Sequence, residues 1–244
     1  AIVDFKKDLT FGKTDANLPY IYVQNKENGR FILAFRYDFG DDADLRYEIA
    51  GDYLEYLGTD QMSNEEIKQQ FYKLACDYFI NVGARNITVT LRGLGENMPE
   101  ALALLENVMQ NAQPDPMVAE MCIQQLEKSR MDNKLKQHSN FNALVQYGIY
   151  GPYNSQRNIL SIEQMRQLDP QELLDLMKNL KNYKHTVLYY GPMSEKEMAD
   201  AVTANHKTVE ELQDVPEGKH YEMQPTPENE ILIAPYDAKN IKPE

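Results

Sequence analysis

Asp52 and Glu55 lie three residues apart, and Tyr56 follows directly, inside the segment Ile49-Ala50-Gly51-Asp52-Tyr53-Leu54-Glu55-Tyr56-Leu57-Gly58-Thr59. On a helix, side chains three apart share a face, so these two carboxylates could offer oxygen donors to calcium or magnesium. A catalytic zinc site asks for more: three protein ligands drawn from His, Glu or Cys, with water in the fourth position. Tyr56 is a poor substitute for an imidazole, and the plainer expectation is that Asp52 and Glu55 are ordinary polar positions on an amphipathic helix. Other chemistry is sparse. The histidines His138, His185, His206 and His220 are scattered, none beside a nucleophile motif such as Gly-x-Ser-x-Gly, and are expected to be surface or structural side chains. Gly93-Leu94-Gly95 falls short of a dinucleotide or phosphate loop. Cys76 and Cys122 each sit in a segment that reads as helical, with no Cys-x-x-Cys spacing, and are expected as two buried free thiols.

The elements that must position these residues follow from periodicity. Arg30 to Gly40 is rich in aromatic and branched residues and follows Asn28-Gly29, a hairpin signal, which predicts a strand paired with Tyr20 to Gln24. From Asp44 the period becomes helical, with Leu45, Ile49, Tyr53 and Leu57 at four-residue steps and Gly58 as the stop. Ser63-Asn64-Glu65-Glu66 reads as a capping box opening a second helix, its stripe Ile67, Phe71, Leu74 and Tyr78 running towards Gly83. Ile87, Val89 and Leu91 alternate with Thr88 and Thr90 as a half-buried antiparallel strand with the threonines outward. Helices are expected over 98–109, 118–136 and 141–147, with further helical turns opening at Ser161 and Pro170. A short strand spans 185–191, and Ser194 caps the last helix. The order predicts an α+β fold, an antiparallel sheet with helices packed on one face. One domain is expected over 1–205, a polar Pro-containing linker over 206–228, and the start of a following domain or a C-terminal strand over 229–244, where Ile231 to Ala234 form an apolar run.

Composition narrows the partners. Lys and Arg total 25 against 38 Asp and Glu, a formal net charge of −13 over 244 residues, so no nucleic-acid partner is expected. The densest basic stretch, Lys128, Arg130, Lys134 and Lys136, is diluted by Glu127 and Asp132 and reads as a solvated helix face. The acidic balance would favour basic or unstructured peptides through long-range attraction. No apolar run approaches the roughly 20 residues of a bilayer span, and Ala1-Ile2-Val3-Asp4 does not read as a signal sequence. A soluble chain is expected, with the compartment open between periplasm and cytoplasm. The missing initiator Met suggests a piece of a longer protein.

Certain words in the chain carry a resemblance: Phe35-x-Tyr37-x-Phe39-Gly40, Gly51 to Thr59, Ser63-Asn64-Glu65-Glu66-Ile67, and Val187-Leu188-Tyr189-Tyr190-Gly191-Pro192. Together, over residues 18–204, they resemble one domain of the pitrilysin/insulinase family of inverted-zincin metallopeptidases. That resemblance implies paired homologous domains closing around a peptide, with zinc in a catalytic domain bearing His-x-x-Glu-His on a helix. Here the same frame reads Asp52-x-x-Glu55-Tyr56. The family's third ligand, a Glu on the long helix, would fall near Asn133. The resemblance therefore implies a non-catalytic domain with no metal of its own, zinc belonging to the catalytic domain of the parent protein, and other such domains and a peptide as partners. Tyr147, Tyr150 and Tyr153 could present a peptide-facing surface, although loop packing explains them as well. The alternative is a proteolytically inactive assembly or binding subunit of the same fold.

Overall fold

The computed structural model describes residues 9–235. Ala1 to Asp4 and the last part of the 229–244 segment lie outside the described residues. Strands β1 (Thr10–Lys13), β2 (Pro19–Gln24), β3 (Arg30–Tyr37), β4 (Cys76–Val82), β5 (Ile87–Leu94) and β6 (Thr186–Gly191) form one sheet in the order β1-β2-β6-β3-β5-β4. All pairings are antiparallel except β2 with β6. Phe31, Leu33, Phe35 and Tyr37 alternate into the core from β3 and meet Val187, Tyr189, Val89 and Leu91 of its neighbours. Ile32, Tyr190, Arg92 and Asp77 form a row across the opposite, open face. The chain is α+β with its helices on the buried face, as the pattern predicts.

The helices are α1 (Tyr47–Glu55), α2 (Asn64–Lys73), α3 (Met98–Asn111), α4 (Pro116–Lys134), α5 (Gln137–Tyr150), α6 (Ile162–Arg166), α7 (Pro170–Asn179) and α8 (Glu195–Asn205). Three begin with reciprocal caps: Ser63 with Glu66, Ser161 with Gln164, and Ser194 with Glu197. Each cap satisfies two amides that a helix start would otherwise leave unpaired. Ile49, Tyr53 and Leu57 are buried as their spacing requires.

Three expectations are corrected. β2 and β3 are not a hairpin, because β6 inserts between them and bonds to both. The five-residue loop spans that gap by folding on Asn25, whose side-chain oxygen accepts the amides of Glu27 and Asn28 while its Nδ2 donates to Arg30 O. The second helix does not run towards Gly83. It ends at Lys73, Ala75 turns to φ +49°, and Cys76–Val82 becomes edge strand β4, so Cys76 and Tyr78 are strand residues. The helical reading failed because Leu74 and Tyr78 continue the helical spacing of three and four residues by coincidence. Thr90 points outward but is buried, only 7 % exposed.

Residues 206–224 run along this body. Gln213 bridges Asn182 and Lys184, Lys219 N donates to Asp42 O, and Gln224 N donates to Ile149 O. Ile231 to Ala234 form no strand. Both cysteines are buried free thiols. No helix among the described residues is long and apolar enough to cross a membrane.

Candidate functional site

Helix α1 carries the Asp52, Glu55 and Tyr56 frame and is pinned at both ends. At its C-terminal end the Tyr53 hydroxyl accepts from Asp115 N at 2.8 Å and donates to Asp115 O at 3.2 Å, joining α1 to the cap of α4. Nearer its start, Arg130 on α4 donates to Glu48 at 2.8 Å and to Leu160 O at 2.6 Å. Gly51 lets the helix close on β4, since a Cβ there would lie 3.1 Å from Val82 and 3.2 Å from Ile80.

The frame so positioned does not converge on a metal. Glu55 Oε1 accepts the backbone amide of Ile80 at 2.6 Å, capping an N–H on the free edge of β4. Burial pushes the Glu55 carboxyl above its ordinary range, with the Ile80 bond acting the other way and Asp52 adding to the rise. Asp52 reaches solvent, and the protein crowding its base raises its carboxyl as well. Tyr56 is 37 % exposed, and the Lys68 ammonium lies 5.3 Å from its ring centroid. A cation placed at the Tyr56 phenol would meet that positive charge. On α4 the group that senses Asp52 is Cys122, whose thiol is pushed up to about 11, by burial first and by the Asp52 charge second. Asn133 lies three turns further along α4, about 16 Å away at 1.5 Å per residue. It lines a groove on another part of the surface. A carboxylate engaged with an amide, an outward phenol under a lysine and a protonated thiol do not fit zinc. Among the described residues no three His, Cys, Asp or Glu side chains are grouped to hold a metal.

The fold assembles a second polar cluster that local spacing did not reveal. His185, just before β6, and His206, just after α8, are 4 % and 3 % exposed, with ring nitrogens Nε2 2.9 Å apart. His185 Nδ1 faces Tyr183 O at 2.6 Å, and His206 Nδ1 faces Glu106 of α3. A carbonyl oxygen can only accept, so Nδ1 of His185 carries a proton and its Nε2 accepts from Nε2–H of His206. Lys181 Nζ stands 4.0 Å from the other Glu106 oxygen. Phe35 stacks on His206 at 4.1 Å between ring centroids. His185 is pushed down to about 4, chiefly by burial and then by the neighbouring His206. Among the described residues a small pocket between Glu106, Lys181 and His206 reaches this cluster, whose arrangement ties three elements together. With partners 21 and 100 residues away in the chain, no local motif could have announced it.

The remaining histidine on a helix, His138, is exposed beside Asn142. Of the tyrosines near Gly151, Tyr150 and Tyr153 contact Tyr221 from the 206–224 segment, and Tyr147 and Tyr153 remain 44 % and 54 % exposed.

No protein-family model and no curated protein matches the sequence. Solved structures do match. An inactive domain of a peptidase M16 from Pseudomonas fluorescens superposes with a TM-score of 0.71 at 13% identity, covering 87% of this chain and 53% of that one. The ferredoxin protease FusC, crystallised as a mutant with Arabidopsis ferredoxin, gives 0.71 at 12% identity, over 92% of this chain and 25% of its own. The periplasmic protease PqqL from Escherichia coli gives 0.69 at 12% identity, over 92% and 26%. The chain thus has the fold of M16 peptidase domains and spans between a quarter and about half of the length of these chains.

Proposed function

We propose that this chain is a non-catalytic domain of a zinc-dependent metallopeptidase, forming part of the wall of a peptide-enclosing chamber while a separate zinc-bearing domain cleaves the peptide. The observation that carries the reading is α1. In a fold shared with M16 peptidase domains, the helix frame reads Asp52-x-x-Glu55-Tyr56, and the one residue that matches the motif, Glu55, holds the Ile80 amide instead of facing open space. Metal-assisted hydrolysis needs a Lewis acid and a water-activating base at one point, and α1 supplies neither here. The share of related chains that this one covers supports further domains beside it as partners.

The test is a calorimetric zinc titration of the chain together with hydrolysis of an unstructured peptide. Expected are no zinc binding and no turnover by this chain alone, and turnover by the parent assembly that zinc chelation abolishes. Zinc binding lost in Asp52→Ala or Glu55→Ala, or turnover by the isolated chain, would overturn the reading. A parent assembly with no turnover at all would instead make the chain an assembly subunit.

A further inference from the structure

Helix α5 is 14 residues long and none of its side chains is fully buried. Ser139, Asn140, Ala143 and Tyr147 on one of its faces line a groove of about 630 Å³ shared with the end of α4 and the loop before α6. Apolar area is exposed there: Met131 is 62 %, Tyr147 44 % and Ile159 42 % exposed. The described part of the tail, up to residue 235, lies elsewhere: Gln224 N bonds Ile149 O and Leu232 packs at Gly148, neither of which lines the groove.

The charges of the groove divide sharply. Arg130 is committed to Glu48 and Leu160, and Glu127 to Arg166 at 3.5 Å. Lys134 and Arg157 are exposed and, among the described residues, belong to no ion pair. A chain of net charge −13 therefore keeps two uncommitted cations beside an apolar floor. Apolar surface rimmed by like charges marks a protein-docking site, and the rim selects a partner of opposite sign.

We propose that this groove seats an acidic amphipathic segment of a partner protein. Its carboxylates would meet Lys134 and Arg157, and its apolar side chains would settle among Met131, Tyr147 and Ile159, the mode in which helices dock in grooves. The inference stands whether or not the chain belongs to a peptidase.

Two labelled helical peptides sharing one Leu/Phe face, one with Glu and the other with Lys on the polar face, are titrated with the chain by fluorescence anisotropy. Because the net charge attracts the Lys peptide everywhere, preference for the Glu peptide isolates the groove. The Glu peptide is expected to bind more tightly than the Lys peptide, and Lys134→Glu with Arg157→Glu to weaken it by roughly tenfold or more. Lys26→Glu, at an exposed position away from the groove, is expected to leave binding unchanged. Both substituted positions are exposed, and an unchanged circular-dichroism melt confirms that the fold is kept. Failure of the Glu peptide to bind, preference for the Lys peptide, or indifference to the double reversal overturns the proposal. So does self-association by light scattering that the same reversal abolishes, which would make a second copy the occupant.

Discussion

His185 gives the chain an acid-sensitive point. Its ring is held neutral, with Nδ1–H donating to Tyr183 O and Nε2 accepting from His206, and its pKa falls from 6.5 to about 4. Charged groups around it are Glu106 and Lys181, with Tyr37 packed against the ring at 4.7 Å between centroids. A group whose folded pKa is depressed contributes stability above its unfolded pKa and loses it as pH falls towards the folded value. The loss therefore runs from about pH 6.5 down to about 4 and reaches on the order of 3 kcal/mol. Thermal melts at descending pH should show it, and His185→Gln, which keeps an acceptor but does not titrate, should flatten it; equal slopes in both proteins would refute the assignment. Glu55 makes a separate point. Glu55→Gln retains an acceptor for the Ile80 amide and should cost little, whereas Glu55→Ala should cost about 1–2 kcal/mol in urea unfolding. If the two variants are equally stable, the carboxylate is not capping the strand edge. Of these residues, Glu55 was visible in the sequence because its motif is local. The histidine cluster was not, because its members meet only when β6 and α8 pack beside α3.

At the scale of elements, the α2–β4 junction is the most informative. Ala75 follows the α2 cap with φ +49°, a left-handed conformation costing a non-glycine residue roughly 1–2 kcal/mol. Ala75→Gly should stabilise the chain by about 0.5–1 kcal/mol after the extra freedom of glycine in the unfolded state is counted. Gly93, paired with the next residue Cys76 across the strands, has φ +152°, and an added Cβ there would lie 2.4 Å from Ala75 O. Gly93→Ala should therefore lose about 2 kcal/mol or more. Chemical denaturation of both variants checks the pair, and shifts of the same sign would contradict the backbone argument. This junction also shows what local pattern can deliver. The capped helix starts at Ser63, Ser161 and Ser194 were readable because a cap is a four-residue event. The end of α2 was not, since a four-residue step survives into β4 and the stop depends on one left-handed alanine. The β2–β3 hairpin was misread for a related reason: the parallel partner β6 lies more than 150 residues away, and only the completed sheet puts it between them.

For the whole molecule the open question is where the folded body ends. Residues 206–228 lack helical or strand periodicity and read as a linker, yet the stretch up to Gln224 is held at successive points. His206 is buried in the α3–β6 cluster, Gln213 bonds on both sides to Asn182 and Lys184, and Lys219 bonds Asp42. The Tyr221 hydroxyl accepts from Asn158 at 2.9 Å, and Gln224 bonds Ile149. Beyond Gln224 no backbone hydrogen bond to the body is found among the described residues. Each backbone bond contributes roughly 0.5–1.5 kcal/mol net, and the lost burial of His206 adds to their sum. Truncation after Asn205 should thus cost about 3 kcal/mol or more, lowering Tm by roughly 10 °C for a body of this size. Truncation after Gln224 should leave the melt within about 2 °C of the full chain, because the bonds that fix the strap are all retained. Differential scanning calorimetry of the two truncations decides between them. If the shorter chain melts with the longer one, the strap is only a tether and the body ends with α8; if it melts well below, the strap is part of the body.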